Sequence, residues 1–132
     1  MQSIQTVERP LAGTPVSVSD DQWAAIRALA NRWVPLRAGR DEIDRRFVEA
    51  ALSVMVGDCH WVLLAEDRFG NWRVNWARNA RWVELGVWSR VAAGGVLNED
   101  AARRVLDYVE RHRRKKRRRA ARRVEWILHE DR

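Results

Sequence analysis

The sequence predicts an all-α fold: a small helix-turn-helix-like bundle of about five helices, followed by a long basic C-terminal helix or tail. Three observations carry this. Apolar residues recur at helical spacing in successive segments between residues 19 and 91. Residues that cap helices stand before those segments, and glycine or proline stands after them. Beyond residue 96 the apolar spacing thins, and from Glu110 to Arg119 no apolar residue occurs, so that stretch cannot be buried.

Residues 1–17, broken by Pro10, Gly13 and Pro15, read as a flexible arm. Ser19 then reads as an N-cap, and Gln22 three positions later completes a capping box. Asp20 and Asp21 suit the positive end of the helix dipole. Trp23, Ile26, Ala30 and Trp33 follow at helical spacing until Pro35. After the loop "LRAGR", Asp41 is expected to cap a second helix. Its apolar stripe is wide: Ile43, Phe47, Val48, Ala51, Leu52, Met55 and Val56. Glu42, Arg45, Arg46 and Glu49 form the opposite face, and Gly57 is expected as the residue past its end.

A short element follows, with Asp58 as a cap, Trp61, Leu64 and Ala65 facing inward, and Gly70 as its stop. Asn71 is expected to cap the next helix. On that helix Trp72, Trp76, Ala80 and Val83 fall on one side, with Trp82 at the edge. Arg73, Arg78 and Arg81 fall on the other. Two helices joined by a tight turn, with a third starting near Asn71, have helix-turn-helix spacing. "GVWSRVAAGG" supplies one more short helix around Val87, Trp88 and Val91. Asn98, Glu99 and Asp100 open the last segment, where Val105, Leu106 and Val109 can pack. The organisation is thus 1–17 arm, 18–95 helical domain and 96–132 basic extension.

The length of 132 residues and a 46% hydrophobic share allow one compact domain with a small core. One cysteine, Cys59, excludes an internal disulfide and fits a reducing compartment. No run of 18 apolar residues exists, so no membrane partner is expected. The first 17 residues lack the pattern of a signal peptide. The expected location is the cytoplasm.

Net charge is +7, and its placement matters more than its size. Residues 111–123, "RHRRKKRRRAARR", hold ten Lys/Arg and no acid, against 15 basic and 18 acidic residues elsewhere. So dense a block points to a polyanion. It reads as a projecting helix or a disordered tail. "VEWILHEDR" adds a small apolar cluster able to fold back or to pair with another copy.

Enzymatic signals are missing. Cys59–His60 has no second Cys/His pair to complete a zinc site, and the carboxylates are scattered over caps and solvent faces. No nucleophile elbow and no phosphate-cradling glycine loop occurs. No metal and no cofactor is expected.

"VSDDQWAAI", "GR" at 39–40, "RRFVEAALSVMVGDCHWVLL" and "RFGNWRVNWARNARWVELGVWSR" resemble, in order and spacing, the N-terminal domain of bacterial insertion-sequence transposases. Residues 16–92 carry the resemblance. The matching residues are Ser19, Asp20, Gln22, Trp23, Gly39, Arg40, Gly57, Trp61, Leu64, Phe69, Gly70, Trp72, Arg81, Trp82, Gly86, Val87 and Trp88, with several rare Trp and Gly positions in register. The resemblance implies a helical DNA-binding head for transposon ends. In full-length relatives that head precedes an RNase H-like domain with DDE carboxylates and Mg²⁺. Nothing after residue 95 resembles that domain, and the arginine block stands in its place, so the chain is expected to be non-catalytic by itself. Asn75 and Asn79 stand where relatives carry apolar residues. Either the helix is rotated or two amides are partly exposed.

Together these readings predict a protein that binds double-stranded DNA at transposon ends, in transposition or its repression, on a bacterial nucleoid. A separately encoded catalytic transposase subunit is a candidate partner. Arg73, Arg78 and Arg81 would reach phosphates or guanine edges, and Asn75 and Asn79 would suit adenine. Arg45 and Arg46 on the preceding helix would anchor to the backbone. Arg113, Arg114, Lys115, Lys116, Arg117, Arg118, Arg119, Arg122 and Arg123 would clamp neighbouring phosphates. Most of the indoles are expected inside, as core. The competing readings are a decayed or frameshifted transposase fragment without function, and a module that uses its arginine block on RNA or an acidic protein.

Overall fold

A computed structural model describes residues 13–130, so the expected arm lies outside the described residues over 1–12. Six α-helices follow one another, and no strand occurs among the described residues: α1 (Asp20–Asn31), α2 (Asp41–Met55), α3 (Glu66–Phe69), α4 (Trp72–Glu84), α5 (Val87–Ala93) and α6 (Glu99–Glu130). A single 3-10 turn, Trp61–Leu63, precedes α3. The bundle of five helices and the long final helix agree with the predicted fold class.

Local chemistry sets the helix starts. The Ser19 hydroxyl accepts from the Gln22 backbone N–H, and the Gln22 side chain accepts from the Ser19 N–H, which closes the expected capping box. Asn71 Oδ1 accepts from the N–H groups of Arg73 and Val74 and so starts α4. Asn98 caps α6 through the Ala101 N–H at 2.8 Å. Asp41 and Asp58 do not cap. Arg40 occupies the cap position of α2 without a side-chain bond. Asp41 instead accepts from the Trp23 indole N–H at 3.0 Å and pairs with Arg27, tying α1 to α2. Asp58 takes a left-handed φ of 58° and faces Arg104.

The main core joins α1, α2, α4, α5 and the first third of α6. Ile26, Phe47, Val48, Leu52, Trp82, Val83, Trp88, Val91 and Val105 are all sealed from solvent. Phe47 meets Trp82 edge-on at 4.9 Å, and Trp82 meets Trp88 at 5.4 Å, the ring geometry aromatic pairs favour. A second cluster of Ala50, Cys59, Leu64 and Phe69 roots the α3 turn against α2. Several residues of the expected stripes lie outside. Ile43, Trp33, Leu106 and Ala65 are exposed. Arg90 covers the Trp33 ring at 3.5 Å.

The last residues of the expected arm are docked. Thr14, Val16 and Val18 donate backbone N–H bonds to Gly57 O, Ser53 Oγ and Glu49 Oε2, so residues 14–18 run back along α2. Gly57 permits this approach. A Cβ there would sit 1.9 Å from the Thr14 carbonyl oxygen. The residue past α2 is glycine for closeness, because the left-handed turn falls on Asp58.

Candidate nucleic-acid interface

The sequence places tryptophans, asparagines and arginines on α4, and their partners decide which of them face solvent. Asn75 and Asn79 are buried. Asn75 Nδ2 donates to the Phe69 carbonyl at 2.8 Å, which locks α3 to α4. Asn79 Oδ1 accepts from the Trp88 indole N–H at 2.6 Å, which locks α5 to α4. Arg78 turns inward as well. Its guanidinium pairs with the buried Asp44 at 2.8 Å and lies 4.4 Å from the centre of the Phe47 ring. The buried side of α4 is therefore Asn75, Arg78, Asn79, Trp82 and Val83. It is turned by roughly 90° from the Trp72–Trp76–Ala80–Val83 side expected from apolar spacing, at about 100° per residue. Of the alternatives the sequence left open, rotation is the one observed.

This corrects the expected reading helix. Asn75 and Asn79 cannot reach a base edge, because both side chains are buried and bonded inside the protein, Asn75 through Nδ2 and Asn79 through Oδ1. Arg78 neutralises Asp44. Trp76 is 49% exposed, and Trp72 is half-buried with Arg73 over its ring at 5.3 Å, so only Trp82 and Trp88 of the four indoles on this stretch are core. The open face of α4 carries Arg73, Val74, Ala77 and Arg81, all exposed. Neither Arg73 nor Arg81 has an acidic partner among the described residues.

On α2, Arg45 is also committed. It pairs with Asp20 at 2.6 Å and donates to the Val18 carbonyl, holding the start of α1. The hydrogen bond to Asp20 raises its pKa further above the ordinary arginine value. Arg46 is exposed, with a loose contact to Glu42 at 3.5 Å.

Helix α6 resolves the tail as a projecting helix. Ala101, Val105 and Val109, one helical turn apart, bury its first part. From Arg113 to Leu128 every residue is exposed, and the helix continues to Glu130. At ~1.5 Å per residue the part beyond His112 extends about 27 Å. Val124, Trp126, Ile127 and Leu128 do not fold back. Within the arm, Lys116 pairs with Glu84 of α4 at 2.9 Å, and Arg114 and Arg117 share Glu110. Arg113, Lys115, Arg118, Arg119, Arg122 and Arg123 have no acidic partner among the described residues. The hydrogen bond from Lys116, with His112 nearby, holds the Glu84 carboxyl below the usual carboxylate range.

Between α4 and α6 lies an open cleft of about 360 Å³, walled by Trp76 and Tyr108 and edged by Lys115, Lys116 and Arg119. Apolar spacing missed it, because it assigned Trp76 to the core. The sign available in the sequence was Glu84, two turns beyond Trp76 on the same arc as Arg73.

Other chemistry is not assembled. Among the described residues no group of three or more His, Cys, Asp or Glu is placed to hold a metal. Cys59 is buried, and burial pushes its thiol pKa up, the opposite of a nucleophile's tuning. No helix among the described residues is long and apolar enough to cross a membrane.

Residues 18–92 match the family described as "Putative transposase of IS4/5 family (DUF4096)". No curated protein and no solved structure matches the chain. The matched region ends within α5, so the basic helix α6 lies outside it.

Proposed function

The chain belongs to the IS4/5 transposase family over residues 18–92, and from that premise we propose that it binds double-stranded DNA at transposon ends in two parts. The open face of α4 enters the major groove. Arg73 and Arg81 reach guanine edges or phosphates, while Val74 and Ala77 between them offer apolar contact to thymine methyl groups. The projecting half of α6 follows the phosphate backbone away from that site. Its about 27 Å of reach is close to one turn of duplex, ~34 Å. Arg46 supplies a backbone contact from α2.

The observation that carries this reading is the second half of α6. It is a solvent-exposed helix with six cations that have no carboxylate partner among the described residues. Holding those charges side by side costs free energy, since like-charge neighbours one turn apart destabilise a helix by about 0.2–0.5 kcal/mol each. A polyanion removes that cost and gains counterion release. The head then supplies choice of site and the arm supplies attraction. Such a protein serves transposition by delivering a separately encoded catalytic subunit, or represses it by occupying the ends.

A mobility-shift titration against terminal-repeat duplex and a scrambled duplex of equal length tests this. Preference for the terminal repeat at physiological salt is the expected result. Equal affinity for both duplexes removes the selective role of α4 and leaves only the arm.

A further inference from the structure

The Trp76 and Tyr108 walls of the cleft between α4 and α6 have no role in that two-part grip, and they have a particular chemistry. Trp76 is half exposed. The other indoles of the folded body are packed or occupied: Trp82 and Trp88 pack against each other in the core, Trp72 and Trp33 each lie under an arginine, and Trp23 and Trp61 donate to Asp41 and Tyr108. Among the described residues Trp76 has no ring, cation or hydrogen-bond partner. Tyr108 stands across the cleft, and Lys115, Lys116 and Arg119 line its edge. Glu84 is the one carboxylate in the lining, and Lys116 already answers it.

An uncovered indole face beside unpaired cations suits a planar ring attached to a phosphate. The bases of an intact duplex stack on one another, so their faces are not available to such a wall. An unpaired base does present its face, and stacking on an aromatic side chain tolerates any base. The volume, about 360 Å³, lies at the lower end of the ~300–1,000 Å³ range of small-ligand sites. We propose that this cleft holds one unpaired nucleotide of a DNA strand, with its base on Trp76 and its phosphate between Lys115 and Arg119. The inference rests on the DNA-binding reading and adds a preference for frayed or overhanging ends over continuous duplex.

The test uses the full chain and fluorescence anisotropy. One probe is a blunt duplex; the other is the same duplex with a short single-stranded thymidine overhang, in both polarities. The overhang of one polarity is expected to bind several-fold more tightly than the blunt form. Trp76→Ala is expected to remove that gain and leave blunt-duplex affinity unchanged, and Trp76→Phe to retain most of it. Stacking of ~1–3 kcal/mol per base sets the upper range of the loss at roughly 5–150-fold. If the blunt duplex is bound and the overhang adds nothing, or if Trp76→Ala weakens both probes by the same factor, the cleft has no such role while the duplex-binding reading stands. If the wild-type chain binds neither probe, the duplex-binding reading itself fails and takes this inference with it.

Discussion

At the residue scale, arginines that look alike in sequence have different work. Arg78 faces Asp44, a carboxylate only 5% exposed in its side chain, whereas Arg73 and Arg81 face solvent. Arg78→Ala leaves a buried charge unanswered. Breaking a fully buried pair costs ~3–5 kcal/mol; with Arg78 about a quarter exposed, a loss of about 2–4 kcal/mol is expected in denaturant unfolding. Arg73→Ala should change the same unfolding free energy by less than ~0.5 kcal/mol. Cys59, buried with a raised pKa, should resist a thiol reagent at mildly alkaline pH and react readily once unfolded. Fast labelling of the native chain would contradict its place in the core. Single residues were legible where their partner is near in sequence, as with Ser19 and Gln22, or Asn71 and the two N–H groups that follow it. Arg78 was not, because Asp44 lies 34 positions away and no spacing rule points to it. Asn75 and Asn79 were misplaced for a related reason: a buried amide is cheap once it is hydrogen-bonded, and apolar periodicity cannot register that.

At the element scale, α4 and α6 show how far helical spacing carries. It finds both helices and their starts. It assigns the wrong side of α4, because three polar residues on the buried side each have an internal partner. For α6 the absence of apolar residues after Glu110 correctly excludes burial, yet it does not distinguish helix from coil. The structure extends the helix through the block, where, among the described residues, only Glu110 and Glu84 pair with its cations. Duplex DNA added at low salt should accordingly leave its helical far-ultraviolet circular dichroism in place and raise the temperature at which that signal is lost. A drop in helical signal on binding, or an unchanged melting temperature, would contradict a pre-formed arm that DNA stabilises. The link from Lys116 to Glu84 adds a pH dependence. The Glu84 pKa is depressed on folding, so its contribution is present above the ordinary carboxylate pKa and is lost as pH falls through the lower folded value. Acid should therefore loosen α6 from α4. Glu84→Gln should remove that part of the acid response.

At the scale of the whole molecule, the all-helical bundle and its long final helix were legible, because they follow from helical spacing and from the change of composition along the chain. The docking of residues 14–18 along α2 was not. It depends on Gly57 lying against the Thr14 backbone, a contact between segments 43 positions apart. Gly57→Ala should detach that strap, since the new Cβ meets backbone and not a movable side chain. A destabilisation of about 1–3 kcal/mol is expected, in the range of overpacked sites. The assembled molecule separates a rigid face from a charged lever: α4 is held by Asp44, Phe69 and Trp88, whereas beyond Lys116 no side chain of α6 bonds to another element among the described residues. Selection of a DNA site and attraction to DNA should thus be separable by mutation. The measurement that tests this most directly is affinity against salt concentration for terminal-repeat and scrambled duplexes, with two variants. Arg73→Ala combined with Arg81→Ala should erase the preference between duplexes and lower the salt slope by no more than about 2. Replacing Arg118, Arg119, Arg122 and Arg123 with glutamine should preserve the preference, weaken both complexes and flatten the slope by roughly 3–4, at ~0.9 per phosphate contact. Loss of preference in the arm variant, or an unchanged preference in the α4 variant, would contradict the division of labour.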